Sequence, residues 1–118
     1  MAISTYRDLE VWREAMELVT DVYRLTRRYP REETCGLAAQ TQRAAVSIAA
    51  NIAEGHGRNA RNEHRHHVQA ARGSLAELET HLLVAQRLGY LSPADLKSTW
   101  LRAQIVGRLL NGLVRALR

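Results

Sequence analysis

Residues 92–117 read SPADLKSTWLRAQIVGRLLNGLVRAL. Ser92 is a capping residue, and Pro93 falls at the first helical position, where its missing N–H is no loss. Beyond them Leu96, Trp100, Ala103, Val106, Leu110, Leu113 and Leu117 recur at spacings of three and four, the period of one helical face. No proline interrupts the run to the C-terminus. A periodic segment this long is a helix and not a strand.

The preceding sequence repeats the pattern three times. A third helix is expected from near Asn59 or Asn62 to Gly89, with Val68, Ala71, Leu75, Leu78, Leu82 and Ala85 as its apolar seam. A second is expected from about Leu37 to Glu54, along Leu37, Thr41, Ala45, Ile48 and Ile52, stopped by Gly55-His56-Gly57. The first is expected from about Tyr6 to Arg28, with Thr5 and Asp8 forming a capping box and Pro30 ending it. Its acids crowd the first half and Arg24, Arg27 and Arg28 the last turn, as the helix dipole favours. Leu9, Trp12, Met16, Val19 and Tyr23 form its seam. Composition agrees: Ala, Leu, Arg and Glu supply 58 of 118 residues, against 12 Ile plus Val, 2 Pro and no Phe. That balance excludes a β-sandwich or barrel. The expected fold is all-α, an up-down antiparallel four-helix bundle forming a single domain over residues 1–118.

Two helices carry more apolar surface than a lone bundle needs. Helix 1 has a second line through Val11, Ala15, Leu18, Val22 and Leu25, and helix 4 another through Leu101, Ile105, Leu109, Gly112 and Ala116. A helix apolar on two sides is buried on two sides. Val11, Leu18, Val22, Leu25, Leu101, Ile105 and Leu109 are therefore candidates for a homo-oligomer interface. A broad core face around small Ala and Gly positions is the alternative.

Helix 2 also carries a polar line. Gln40, Arg43, Ser47, Asn51 and Glu54 share one face, and Ser74, Glu77 and His81 do so on helix 3. Antiparallel neighbours bring Arg43 towards Glu77, so a buried pair is expected. Such a line is either a small-ligand pocket or a satisfied network that fixes helix register. The second reading is favoured, as buried polar groups in bundles commonly specify geometry.

Several of these stretches together resemble a known family. Tyr6-Arg7-Asp8-Leu9-Glu10-Val11-Trp12, Gln42-Arg43-Ala44-Ala45-Val46-Ser47-Ile48 and Asn51-Ile52-Ala53-Glu54-Gly55 are similar to segments of the 23S rRNA-intervening-sequence proteins. Gly73-Ser74-Leu75-Ala76-Glu77-Leu78-Glu79 and Gly107-Arg108-Leu109-Leu110-Asn111-Gly112-Leu113 extend the likeness across nearly the whole chain. The resemblance implies a four-helix bundle that assembles as a ring of five and has no known enzymatic activity. The family includes accessory variability proteins of diversity-generating retroelements, and for that branch it implies binding of nucleic acid and of a reverse transcriptase. The chain departs from the family at Cys35 and at His66-His67-Val68, where aromatic residues are common.

Chemistry of other kinds finds no support. A di-iron bundle needs two Glu-x-x-His pairs, and only Glu63 with His66 supplies one. Of His64, His66 and His67, only His64 and His67 share a helical face. Lone Cys35 has no nucleophile motif around it, and no phosphate-cradling loop is present. The expectation is a protein that is not an enzyme and holds no metal or cofactor. Residues 1–10 have no apolar signal core, and the apolar stretch 44–53 is broken by Ser47 and Asn51. A cytoplasmic protein without a membrane partner is expected.

The net charge of +5 is unevenly placed. Residues 56–72 hold four Arg against one Glu, and residues 97–118 one Lys and four Arg without an acid. Arg58, Arg61, Arg65 and Arg72, with Arg108, Arg115 and Arg118, are candidate contacts to nucleic-acid phosphates, which give affinity without reading sequence. No aromatic platform interleaves with them, which argues against base stacking. The competing reading is a protein-interaction scaffold, or an accessory subunit for a separately encoded partner such as a reverse transcriptase.

Overall fold

The computed structural model describes residues 5–118 and contains four α-helices: α1 (Glu10–Thr26), α2 (Leu37–His56), α3 (Arg61–Arg87) and α4 (Pro93–Ala116). Short 3-10 turns at Tyr6–Asp8 and Arg31–Glu33 precede α1 and α2. Each helix packs on its two neighbours, α1 on α2 and α4 and α3 on α2 and α4, with no diagonal contact. That is the up-down bundle expected of four long helices and short loops. Its principal extents are 43 × 24 × 21 Å, the length of α3 setting the long axis.

Local chemistry fixes the breaks. The Ser92 hydroxyl accepts the Asp95 N–H (3.1 Å), and the Asp95 carboxylate accepts the Ser92 N–H (3.0 Å). α3 ends where Gly89 turns to φ +81°, a conformation that favours glycine, and the Tyr90 N–H then reaches back to the Ala85 carbonyl (2.9 Å). The Thr5–Asp8 capping box also forms, but it closes only one 3-10 turn. Leu9 is extended, so the single helix expected from Tyr6 to Arg28 is a turn followed by α1, ending at Thr26. This redirection stands the Tyr6 ring edge-on against Trp12, 5.2 Å between centroids.

Seams expected for α2, α3 and α4 lie in one contiguous core. Val68, Ala71, Leu75, Leu78, Leu82 and Ala85 are all buried. In α1 the two apolar lines exchange roles. Val11, Ala15, Leu18, Val22 and Leu25 form the buried face, whereas Met16 and Tyr23 are exposed and Trp12 and Val19 half-buried. The proposed interface residues of helix 1 are thus core residues of the single chain. Shape and flanking charge explain the choice. Ala15, Val11 and Val22 permit close helix approach, and Glu14 and Asp21, on the flank of that line, reach Arg102 of α4. The Trp12–Tyr23 line carries no such anchors and lies outward. On α4 Leu101 is exposed, with Ile105 and Leu109 half-buried.

The Arg43–Glu77 pair is also absent: both side chains are exposed, and no ion pair joins them. Helix 2 is rotated so that Thr41, Ala45, Ile48 and Ile52 face inward, leaving Gln40, Arg43 and Glu54 in solvent. Replacing Leu18 by Ala is therefore expected to cost about 3 kcal/mol in denaturant unfolding. Arg43→Ala should change stability by less than about 0.5 kcal/mol.

Candidate nucleic-acid interface

The antiparallel course of α3 and α4 brings the start of one beside the end of the other. Arg61 marks the junction, its guanidinium donating to the Ala116 carbonyl at 2.9 Å. Arg61, Arg65 and Arg72 follow along one flank of α3 and are all exposed. Across the groove, Arg108 and Asn111 of α4 line with Arg72 a cavity of about 240 Å³, with Leu75 and Gly107 at its base and Gln104 hydrogen-bonded to Glu79 (2.8 Å). Arg115 and Arg118, also exposed, lie at the same end of the bundle as Arg61. Two segments separate in the sequence thus form one basic end.

The candidates divide by their partners. Arg58 precedes α3 and pairs with Glu54 of α2, so its charge is offset locally. Arg72 donates to Gln69 (2.8 Å), a neutral acceptor. Arg61, Arg65, Arg72, Arg108, Arg115 and Arg118 form no ion pair among the described residues. Arg102, counted with the second segment by charge alone, is engaged elsewhere. It donates to Asp21 (2.8 Å) and Glu14 (2.9 Å), and the Asp21 bond holds it still more firmly charged. No reading of the sequence singled out that triad, although the seven-residue spacing of Glu14 and Asp21 places both on one flank of α1.

Only the middle of the polar line forms a network. Ser47 Oγ and Ser74 Oγ are 2.8 Å apart across the α2–α3 interface. The Asn51 amide donates to the Ser47 carbonyl (3.0 Å) and hydroxyl (3.2 Å), and His67 Nδ1 lies 3.2 Å from Asn51 Oδ1. Asn51 Oδ1 can only accept, so His67 Nδ1 is the donor in this contact. This arrangement ties α2 and α3 together.

Gly55 lets α3 approach α2 here. A Cβ on Gly55 would stand 2.8 Å from His67 Cβ and 3.1 Å from His64 Cδ2. His64 meets His56 edge-on, 6.2 Å between centroids, and its buried Nε2 has no hydrogen-bond partner. Burial, followed by the charges of His56 and His67, holds its pKa below the ordinary histidine value. Among the described residues no three His, Cys, Asp or Glu side chains are grouped to hold a metal ion. Cys35 is an exposed free thiol. None of the described helices is long and apolar enough to cross a membrane.

Fold and site together define a small four-helix bundle with one strongly basic end. Residues 7–112 match the sequence profile of the 23S rRNA-intervening sequence protein family. The chain belongs to that family. No curated protein matches it. Among solved structures it is similar to a protein of unknown function from the S23 ribosomal protein family of Bacteroides thetaiotaomicron, solved at 1.70 Å. The TM-score is 0.82 at 20% identity, over 89% of this chain and 98% of that one, a likeness of fold.

The sign of the His64 effect on stability follows from proton uptake. An unfolded chain takes the proton near pH 6.5, whereas the folded chain resists it, so stability falls as pH drops below about 6.5. Thermal melts should show a lower Tm at about pH 5.5 than at pH 7.5, and His64→Leu should flatten that dependence.

Proposed function

We propose that this protein is a non-enzymatic, cytoplasmic nucleic-acid-binding bundle that works as a homo-oligomer. The observation that carries the reading is the convergence of Arg61, Arg65 and Arg72 with Arg108, Arg115 and Arg118 at one end, unpaired by acids among the described residues. Guanidinium rows flanking a groove suit phosphate oxygens, which several cations contact at once. Between them the groove is lined by Leu75, Ala76, Ala103 and Gly107 with Glu79 and Gln104, and no aromatic face lines it, which favours backbone contact over base stacking.

Assembly is proposed on the exposed apolar faces. Trp12, Met16 and Val19 of α1 with Val46 and Ala50 of α2 line one concavity, and Leu83, Pro93, Trp100 and Leu101 line another of about 500 Å³ between α3 and α4. Contact between two different faces is head-to-tail, and such contacts give a ring when the rotation between copies closes and an open filament when it does not. A ring of five, as the family resemblance implies, would present five basic ends together and strengthen weak phosphate contacts through multivalency. The same apolar faces support a second reading, a scaffold for a separately encoded protein.

Light scattering should return five times the 13.3 kDa chain mass. Met16→Glu, which puts a charge on the α1 face, should reduce the mass while the helical circular dichroism persists. A single-chain mass for the natural protein would remove the ring.

Binding to duplex DNA should be sequence-tolerant and fall with salt. Arg61→Ala with Arg65→Ala should make the slope of log affinity against log salt shallower by up to about 1.8, or 0.9 per lost contact. Arg24→Ala, which breaks a surface pair with Asp21 (3.6 Å), should leave the slope in place. Absence of any binding at about 50 mM salt would leave only the scaffold.

A further inference from the structure

The end of the bundle opposite the arginine cluster, where α1 passes into α2, carries a separate cavity. Two cations, Arg27 and Arg31, two aromatic rings, Tyr23 and Tyr29, and the amide of Gln42 line about 430 Å³. That is large enough for a small molecule, since such sites run from about 300 to 1,000 Å³. No carboxylate lines it, and neither arginine forms an ion pair among the described residues.

The acids nearby are engaged elsewhere. Glu33 accepts the Leu37 N–H on one oxygen (3.1 Å) and the Tyr90 hydroxyl on the other (2.9 Å), which draws its carboxylate over the start of α2. Asp21 is held by Arg102 and Arg24, and Asp95 of α4 pairs with Arg28. Glu32 is exposed and does not line the cavity. Residues 21–43 hold five arginines, Arg24, Arg27, Arg28, Arg31 and Arg43, against Asp21, Glu32 and Glu33. Adding Asp95 still leaves this end positive.

Thr26 fixes the Gln42 amide. Its hydroxyl donates to the Tyr23 carbonyl (3.2 Å) and accepts from Gln42 Nε2 (2.9 Å). A hydroxyl has one hydrogen to give, so the amide nitrogen faces it and not the amide oxygen. Gln42 keeps one N–H and its carbonyl oxygen, which take no further hydrogen bond among the described residues. A donor beside an acceptor on one amide matches adenine, which offers a ring nitrogen beside an amino group. Tyr29 is buried and braced by Tyr90, 5.5 Å between ring centroids, whereas Tyr23 is 43% exposed and meets no other ring among the described residues. Tyr23 does not line the α1–α2 concavity assigned above to assembly.

We propose that this cavity is an adenine-nucleotide site: Arg27 and Arg31 take the phosphate, Gln42 pairs with the amino edge of the base, and the Tyr23 face stacks on the ring. Guanidinium forks suit phosphate oxygens, and a tyrosine face suits a base. The site shares no residue with the basic end and stands independently of the nucleic-acid reading.

Isothermal titration calorimetry of the full chain with adenosine monophosphate tests it, and one molecule per chain is expected. Adenosine lacks the phosphate, and inosine monophosphate sets an oxygen against the Gln42 oxygen; each should bind about tenfold more weakly or worse. Arg27→Ala and Arg31→Ala, at exposed positions, should each weaken adenosine monophosphate about tenfold and leave adenosine unchanged. Tyr23→Ala should weaken both ligands alike. Arg61→Ala with Arg65→Ala, at the other end, should leave binding as it was. Circular dichroism confirms that each variant is folded. No binding at about 1 mM adenosine monophosphate would overturn the site while leaving the nucleic-acid reading intact. Equal affinity for all three ligands would overturn it, as would binding that survives Arg27→Ala with Arg31→Ala or is lost in Arg61→Ala with Arg65→Ala.

Discussion

The close approach of α2 and α3 is the constraint on which the remainder of the molecule depends. α2 presents small side chains inward, with Ala38, Ala44, Ala45 and Ala49 buried and Gly55 at its end. Small residues let two helix backbones draw together, so that short polar side chains can meet across the interface. Ser47 and Ser74 do so, and the chain through Asn51 to His67 extends the contact to the corner where α2 passes into α3. Gly55 is decisive because a single added carbon would meet His67. Once α3 is seated there, its opposite flank turns towards α4, and the arginine row falls beside the C-terminal end of that helix.

The α1–α4 interface is held by different means. Arg102 bridges Glu14 and Asp21 at hydrogen-bond distance while remaining partly exposed, and Arg28 pairs with Asp95 at 3.2 Å. Such pairs add modest stability at a surface but fix orientation, because each cation must face its acids. They select which of two apolar lines on α1 enters the core. The unselected line, with Trp12 and Met16, becomes an apolar surface that invites a second copy.

Charge is distributed along the same logic. Ion pairs anchor Arg24, Arg28 and Arg102 along α1 and at its contacts with α4, so their charges are locally offset. Arg61, Arg65 and Arg72 where α3 begins, and Arg108, Arg115 and Arg118 towards the end of α4, form no ion pair among the described residues. Four histidines occupy the corner beside them, His56 edge-on to His64 and His66 to His67. Affinity for an anionic polymer is a property of that placement, since the net charge of +5 says nothing of where it lies.

Sequence alone located the four helices and the Ser92 cap of α4, although the Thr5–Asp8 box closes only the turn before α1. Ser92-Pro93, Gly89 and Pro30 act through their own backbone chemistry, and the seam from Val68 to Ala85 is a matter of period; both are local properties. The basic segments were legible for the same reason, as was the likeness to the family to which the chain belongs. Tertiary structure decided what periodicity leaves undetermined. Two apolar lines at equal spacing on α1 cannot be ranked without knowing what α4 offers to Glu14 and Asp21. Arg43 and Glu77 share a pattern suited to pairing, yet the rotation of α2 that buries Thr41 and Ile48 turns Arg43 to solvent. The site followed the same division: arginine spacing was visible in the chain, whereas the convergence of residues 61–72 with 108–118 arose from antiparallel packing. Long-range contacts set these outcomes, because rotating a helix about its axis changes every partner while leaving its sequence period untouched.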